Sequence, residues 1–346
     1  MATDVTIVIP TYNQRYKDLR RLLEYYNYYD GLVFVADSSS SPYPYNYDLE
    51  KVKYFHLPEL GYYEKIIYVL NLVNTEFVVL CADDDFIVPK GIQTAVSFLK
   101  LNSEYSVAKG KQICFLDDMS EKGKYVWRES DWDCYSIEDP SPSKRLFMHL
   151  SSYKSATFYA VHRTNLMRDI FRLSFDNSDD YLFGEYILSL LAIIRGKYKI
   201  FDQLYAIRTS HPTSNPHSFY KFIMNGTFDE KYKKFRKVLS KELVNSEDIS
   251  LPTAEKLIDS ALAEYLKNEN LTLSGLRAKA NLKNIINSIG LLDLAYSIKY
   301  KLVCKNDYTY KYSNILSQPK NPYEDPSNLD YNEFVLIKNI VEGHQS

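Results

Sequence analysis

The sequence predicts an α/β protein: a mostly parallel, Rossmann-like sheet with helices on both faces over residues 1–215, followed by an α-helical region over 216–346. Three observations predict it. The first hundred residues alternate short β-branched runs with helical patterns, and that order demands right-handed crossovers and a largely parallel sheet. The run Val78–Ala82 is apolar throughout, which suits a strand buried on both faces, and it ends in Asp83, Asp84 and Asp85. Beyond about residue 216 the strand pattern stops and helical spacing takes over, as in Tyr232, Phe235, Leu239 and Leu243, or Leu291, Leu294, Ile298 and Leu302.

Val5–Ile9 reads as the first strand, broken by Pro10, Thr11, Tyr12 and Asn13. Leu19, Leu22 and Leu23 mark one helix face, ending by Asp30-Gly31. Leu32–Ala36 is the second strand and runs into Asp37 and four serines; a Pro/Tyr loop with Tyr43, Tyr45 and Tyr47 follows. Val52–Leu57 is a third strand, and Gly61 opens a helix carrying Ile66, Ile67, Leu70 and Val73. After the fourth strand and its acidic triplet, Pro89 fits the first position of a helix with Ile92, Val96 and Leu99. Val107–Phe115 and Lys124–Arg128 suit an antiparallel pair around Lys122-Gly123. Ser143 is placed to cap a helix with Leu146, Phe147 and Leu150, and Ala156–His162 is strand-like. Asp179–Arg195 reads as a helix ending at Gly196; two short strands, Tyr198–Phe201 and Leu204–Arg208, lead to Ser210 and His211. A last helix is expected around Phe334–Val341.

Composition narrows the class. With 42 Lys and Arg against 44 Asp and Glu the net charge is −2, which argues against a general nucleic-acid binder and leaves room for local basic patches. Cys81, Cys114, Cys134 and Cys304 form no C-x-x-C pair, so neither a zinc knuckle nor a disulfide framework is expected, and a reducing cytoplasmic setting fits. No basic segment precedes an apolar core at the N-terminus, and no run approaches a membrane span. Neither a G-x-G-x-x-G after the first strand nor a P-loop is present.

The acidic triplet carries the functional argument. In open α/β sheets ligands bind at the carboxyl ends of the strands. Three adjacent carboxylates repel one another, and a fold that gathers them is expected to supply a cation; the alternative is a solvated loop ahead of the helix at Pro89. Lys65 and Arg163 suit a phosphate or a sugar carboxylate, and equally a solvated surface, which is the preferred reading of both. The Tyr43, Tyr45, Tyr47 loop fits either an acceptor surface or packing on the sheet edge.

The order Thr6-Ile7-Val8-Ile9-Pro10-Thr11-Tyr12-Asn13, then Asp37-Ser38-Ser39, then Ala82-Asp83-Asp84-Asp85-Phe86 resembles the family-two glycosyltransferases of the GT-A fold, in the form found in bacterial surface-polysaccharide synthesis. The likeness covers roughly residues 4–212 and rests on the combination of motifs. It implies a nucleotide-sugar donor, a UDP-sugar in the first place, a divalent metal (Mn²⁺ or Mg²⁺), and inverting transfer to a glycan or lipid-linked glycan acceptor. By the same resemblance Pro10, Thr11, Tyr12 and Asp37 match the base and ribose contacts, Asp83 the nucleoside side, Asp84 either side, and Asp85 the metal ligand. A hard cation held by carboxylates stabilises a leaving diphosphate. The family's catalytic base matches Glu185 in Phe183-Gly184-Glu185-Tyr186, with Tyr186 departing from the usual second acid and Asp180 and Asp179 as rivals; His211 matches a residue on the metal or diphosphate.

Two other classes stay open. A sugar nucleotidyltransferase would carry a glycine-rich basic loop after the first strand, and Pro10–Arg15 has no glycine. A degenerate nucleotide-sugar-binding or scaffold protein would retain the sheet without turnover. Lys231, Lys233, Lys234, Arg236, Lys237 and Lys241 interleave with Tyr232, Phe235 and Leu239, a pattern that fits peripheral contact with an anionic membrane, a homo-oligomer surface, or the solvated face of a packed helix.

Overall fold

The computed structural model describes residues 4–27, 29–44, 51–117, 124–130, 135–154, 156–210, 219, 222–223, 226–268, 272–275, 277 and 320–343. His211, Tyr45, Tyr47, Lys122-Gly123, Cys134, Cys304 and the Leu291–Leu302 stripe lie outside the described residues.

The strands are β1 (Val5–Thr11), β2 (Leu32–Asp37), β3 (Val52–His56), β4 (Phe77–Leu80), β5 (Phe86–Ile87), β6 (Tyr105–Asp117), β7 (Tyr125–Glu129), β8 (Val161–Arg163) and β9 (Lys197–Thr209). The helices are α1 (Tyr16–Tyr26), α2 (Tyr62–Leu72), α3 (Pro89–Leu101), α4 (Pro142–Ser151), α5 (Thr164–Asn177), α6 (Tyr181–Arg195), α7 (Phe228–Ser246), α8 (Leu251–Asn268) and α9 (Tyr331–Glu342). One sheet runs β3-β2-β1-β4-β8-β6-β9-β5, with β7 beside β6. Its first four strands are parallel. β8 enters antiparallel between β4 and β6, and β6 pairs β9 in parallel.

The strand interiors alternate as a sheet covered on both faces requires. Val8, Phe34, Val78 and Leu80 face one core with α2, α4, α5 and α6. Ile7, Ile9, Val33, Val35, Phe77 and Val79 face the other with α1, α3 and α9. The helices assigned to the C-terminal region divide between these faces. Phe235, Leu239, Ile258 and Leu262 of α7 and α8 join the first core, and Phe334 and Ile337 of α9 join the second.

Several local expectations change. Ser141, not Ser143, caps α4, accepting from the Lys144 N–H with Pro142 in the first turn. The strand expected over 156–162 is confined to Val161–Arg163, because Thr164 binds the Glu76 and Thr75 carbonyls and starts α5 at once. The two strands expected over 198–208 are one strand, β9, whose register against β6 shifts near Gly110. The apolar stripe of α7 packs on the core: Phe235, Val238 and Leu239 are buried. Lys233, Lys234, Lys237 and Lys241 are exposed. No helix among the described residues is long and apolar enough to cross a membrane.

Candidate active site at the carboxyl ends of β1, β2 and β4

Parallel pairing sets the site. Thr11 stands level with Asp37 in the β1–β2 register, and Val8 stands level with Leu80 in β1–β4. The chain after β4 therefore emerges beside the β1 end. Thr11 Oγ1 donates to Asp83 Oδ2 at 2.6 Å. Asp37 is fully buried; Oδ1 accepts the Ser39 N–H at 2.7 Å and Oδ2 the Tyr54 hydroxyl at 2.6 Å. In the loop after β1, Tyr12 is 63% exposed, and Asn13 and Gln14 both adopt positive φ, +60° and +57°. Two successive left-handed non-glycine residues are strained, and such strain clusters at functional loops. The Gln14 N–H bonds Ser39 Oγ at 3.0 Å and ties this loop to the β2 end.

The cation that three carboxylates demand comes from the protein. Arg15 reaches Asp83 Oδ1 at 3.0 Å and Asp84 Oδ2 at 2.6 Å. Burial opposes its charge, but Asp83 and Asp84 outweigh that and raise its pKa. Lys65 is corrected from solvated to buried: it is 2% exposed, and its ammonium donates to the Thr11 carbonyl and to Ser38 Oγ at 2.9 Å. Burial lowers its pKa to about 8, against the pull of Asp37 and Asp83. Burial pushes Asp83 up to about 7, opposed by the Thr11 bond and by Arg15.

Asp85 turns away from this group. The antiparallel β5–β9 pair sets Phe86 opposite Ile207, which brings Asp85 to Arg208 and Thr209. Asp85 Oδ1 accepts the Thr209 N–H at 2.8 Å; Oδ2 accepts the Tyr159 hydroxyl at 2.7 Å and Arg208 Nε at 3.1 Å. Burial pushes its pKa up and Arg208 pulls it back. The Arg208 guanidinium also lies over the Tyr159 ring, 4.3 Å from its centroid. These residues do not fit a divalent cation. Both oxygens of Asp85 face donors, one of them cationic, while Asp83 and Asp84 share Arg15, and no group of three metal-ligating side chains assembles among the described residues.

Glu185 lies in the second turn of α6 and is 4% exposed, with Oε1 accepting the Tyr153 hydroxyl at 3.2 Å. Gly184 does not leave room for substrate: a Cβ there would fall 1.7 Å from the Tyr63 hydroxyl oxygen, so the glycine admits Tyr63. Asp180 is the N-cap of α6, accepting the Leu182 and Phe183 N–H groups, and Asp179 pairs with Lys231 at 3.0 Å. Tyr181 opens α6 and meets the start of α2. Its ring packs edge-on to Tyr62 at 4.9 Å, and its hydroxyl pKa is raised by burial first, then by Glu185, with Arg208 acting the other way. Tyr181 is nonetheless 46% exposed, the combination expected of a side chain on a concave wall.

Arg163 belongs elsewhere. It donates to the Leu99 carbonyl at 2.6 Å and pairs with Glu76 at 3.5 Å, at the amino end of β4. Sequence reasoning missed Arg15, Arg208 and Tyr159. Arg15 lies four residues past β1 and was legible as a cation near the triplet; Arg208 and Tyr159 meet Asp85 only through tertiary pairing and left no local signal.

No protein-family model matches the sequence, and no curated protein matches it. Crystal structures of S. aureus TarS 1-349 are similar, one at 17% identity and TM-score 0.45 over 76% of this chain and 71% of that one. The same protein in complex with UDP-GlcNAc gives 15% identity and TM-score 0.48 over 77% and 73%. A longer TarS structure gives 14% and 0.44, with 76% of this chain matching 43% of that one. Likeness at this level bears on neither substrate nor mechanism.

Proposed function

We propose that the chain is an inverting glycosyltransferase that moves a sugar from a nucleotide donor to a glycan acceptor. The observation that carries this reading is the gathering of Thr11, Asp37, Asp83 and Lys65 at the carboxyl ends of parallel strands, beside a strained and exposed β1–α1 loop. That edge is where α/β sheets bind nucleotides. The motif order of the sequence supports it independently. In this reading Pro10, Thr11, Tyr12 and Asp37 frame the base and ribose, Asp83 lies on the nucleoside side, and Asp84 serves either side.

Glu185 is the base. An acceptor hydroxyl attacks the anomeric carbon as its proton passes to the Glu185 carboxylate. The bond from that carbon to the diphosphate oxygen breaks, and the nucleoside diphosphate leaves with the electron pair. Attack from the face opposite the leaving group inverts the centre.

The test is release of nucleoside diphosphate from a panel of UDP-, GDP-, CDP- and dTDP-sugars, followed with and without glycan acceptors. Release from one donor that rises with an acceptor is expected. No release and no binding across the panel overturns the reading. A second reading, a sugar-nucleotide-binding protein without turnover, is favoured by the burial of Glu185; it predicts tight donor binding with no release at all.

A further inference from the structure

Glu185 and Ser189 stand one turn apart on the same face of α6, a helix buried without interruption from Phe183 to Ile194. A carboxyl group in such surroundings holds its proton unless hydrogen-bond donors face it. A protonated Glu185 cannot take a proton from an acceptor hydroxyl, so the base reading requires a donor on this carboxylate. The loop after α4 supplies one. The Tyr153 hydroxyl lies 3.2 Å from Glu185 Oε1 and 3.2 Å from Ser189 Oγ, bridging the two turns. Ser189 Oγ in turn accepts the Thr157 N–H at 3.1 Å. Tyr153, Thr157, Glu185 and Ser189 are all buried. The ends of this row set its direction. A backbone N–H only donates and a carboxylate only accepts, so the Ser189 proton serves the Tyr153 oxygen and the Tyr153 proton serves Glu185. Donors aligned in one sense strengthen one another toward the carboxylate. Packing holds the phenol in place: its ring lies 4.3 Å from that of Tyr186 and 5.1 Å from that of His149.

We propose that Tyr153, held by Ser189 and Thr157, is the positioning residue of Glu185: it fixes the carboxylate through Oε1 and keeps it ionised inside an apolar helix face. This rests on the reading of Glu185 as the base. Tyr153 carries no proton across; its single hydrogen stays on the phenol while Glu185 takes the acceptor's. The neighbours leave this work to Tyr153. Tyr62 and Tyr63 of α2 and Tyr181 of α6 also face Glu185, and burial first, then the Glu185 charge, raises the pKa of each, so they are neutral beside it. His149 of α4 is neutral too, because burial and then Lys109 lower its pKa to about 3.

The test is a carbon-13 NMR titration of the full chain with labelled glutamate side chains, from about pH 4 to 9. The Glu185 signal is the one missing from Glu185→Gln. Tyr153→Phe keeps the ring against Tyr186 and His149 and removes only the hydroxyl. It should raise the Glu185 pKa by about one unit, a tenfold rise in proton affinity. Ser189→Ala leaves Tyr153 its bond to Glu185 and removes the donor behind it, so a smaller upward shift is expected. A Glu185 pKa that is the same in the parent and in both variants overturns the inference and reduces the row to packing. If Tyr153→Phe does not fold by circular dichroism, Ser189→Ala decides alone: an upward shift supports the inference and none overturns it. Release of nucleoside diphosphate by Glu185→Gln tests the base reading separately. A rate within a few-fold of the parent removes Glu185 as the base whatever the titration shows. With that reading intact, the acidic limb of kcat/KM should move up in Tyr153→Phe by as much as the Glu185 pKa does, at unchanged donor KM. A limb that stays in place while the pKa moves overturns the catalytic part of the inference.

Discussion

The two edges of the parallel sheet use cationic side chains for opposite ends. At the carboxyl edge Lys65, Arg15 and Arg208 are set among Asp37, Asp83, Asp84 and Asp85, most of them buried. At the amino edge Arg163 and Arg168 line a cavity of about 490 Å³ with Thr75, Glu76 and Asn165. There the guanidinium groups finish helices: Arg163 donates to Leu99 at the end of α3, and Arg168 donates to Leu70 at 2.9 Å and to Val73 at the end of α2. Carbonyls at a helix C-terminus lack intrahelical partners and carry the negative end of the dipole, so a cation there stabilises the fold. Buried carboxylates beside buried cations cost desolvation that their attraction repays only in part. The difference teaches that a cavity with arginines is not by itself a site. The amino edge is built for stability, and the carboxyl edge holds charge at a cost in stability.

The largest expected effect lies on the carboxyl side. Glu185→Gln keeps the size and the bond from Tyr153 and removes the proton acceptor. A general base contributes roughly 10²–10⁴-fold. Transfer should fall at least about a hundredfold with donor affinity unchanged; activity within a few-fold of the parent would take Glu185 out of the role. Next comes Gly184→Ala. Its Cβ would overlap the Tyr63 hydroxyl, which itself donates to the Tyr181 carbonyl at 3.1 Å. Overpacking of this kind costs about 1–3 kcal/mol, read as a lower urea midpoint. Combining it with Tyr63→Phe, which removes the clashing oxygen, should recover part of the loss, and no recovery would show that the clash lies elsewhere.

Arg168→Ala tests the other edge. Losing bonds to the α2 carbonyls should cost about 1–3 kcal/mol in unfolding free energy. Nucleotide affinity should stay where it was. A fall in that affinity, with the fold intact by circular dichroism, would mean that the amino edge takes part in binding.

The sheet was legible because its strands are buried on both faces, and Val78–Leu80 can be little else. Asp37 and Asp83 were legible as strand-end carboxylates because β1, β2 and β4 are consecutive parallel neighbours apart from one crossover. The opposite holds for the partners of Asp85. Tyr159 lies 74 residues away and Arg208 lies 123, and nothing local reports the β5–β9 pairing that joins them. Lys65 looked solvated because it lies on a helix beside Glu64; only the close approach of α2 to the β1 end buries it. Asp180 looked like a base because an aspartate before a helix and a catalytic acid share the same spacing, and its bonds to Leu182 and Phe183 make it a cap.

The smallest effect is also the sharpest test of the contrast between edges. Asp83 is 3% exposed and burial pushes its pKa up to about 7, from 3.8 in an unfolded chain. The folded state therefore binds the proton more tightly than the unfolded state. Between pH 3.8 and about 7 folding takes up a proton, so stability contributed by this group is greatest at low pH and is lost as pH rises through about 7. Asp83→Asn fixes the neutral form. It keeps an acceptor for the Thr11 hydroxyl, and Arg15 retains Asp84. The variant should melt higher than the parent at pH 8, and the advantage should shrink as pH is lowered toward 5. Nucleotide binding should weaken at both pH values, because the ribose-side carboxylate is gone. A variant that melts lower than the parent by the same margin at pH 8 and pH 5 would show that Asp83 is held as a stabilising ion pair, and the carboxyl edge would then carry no stability cost at this position.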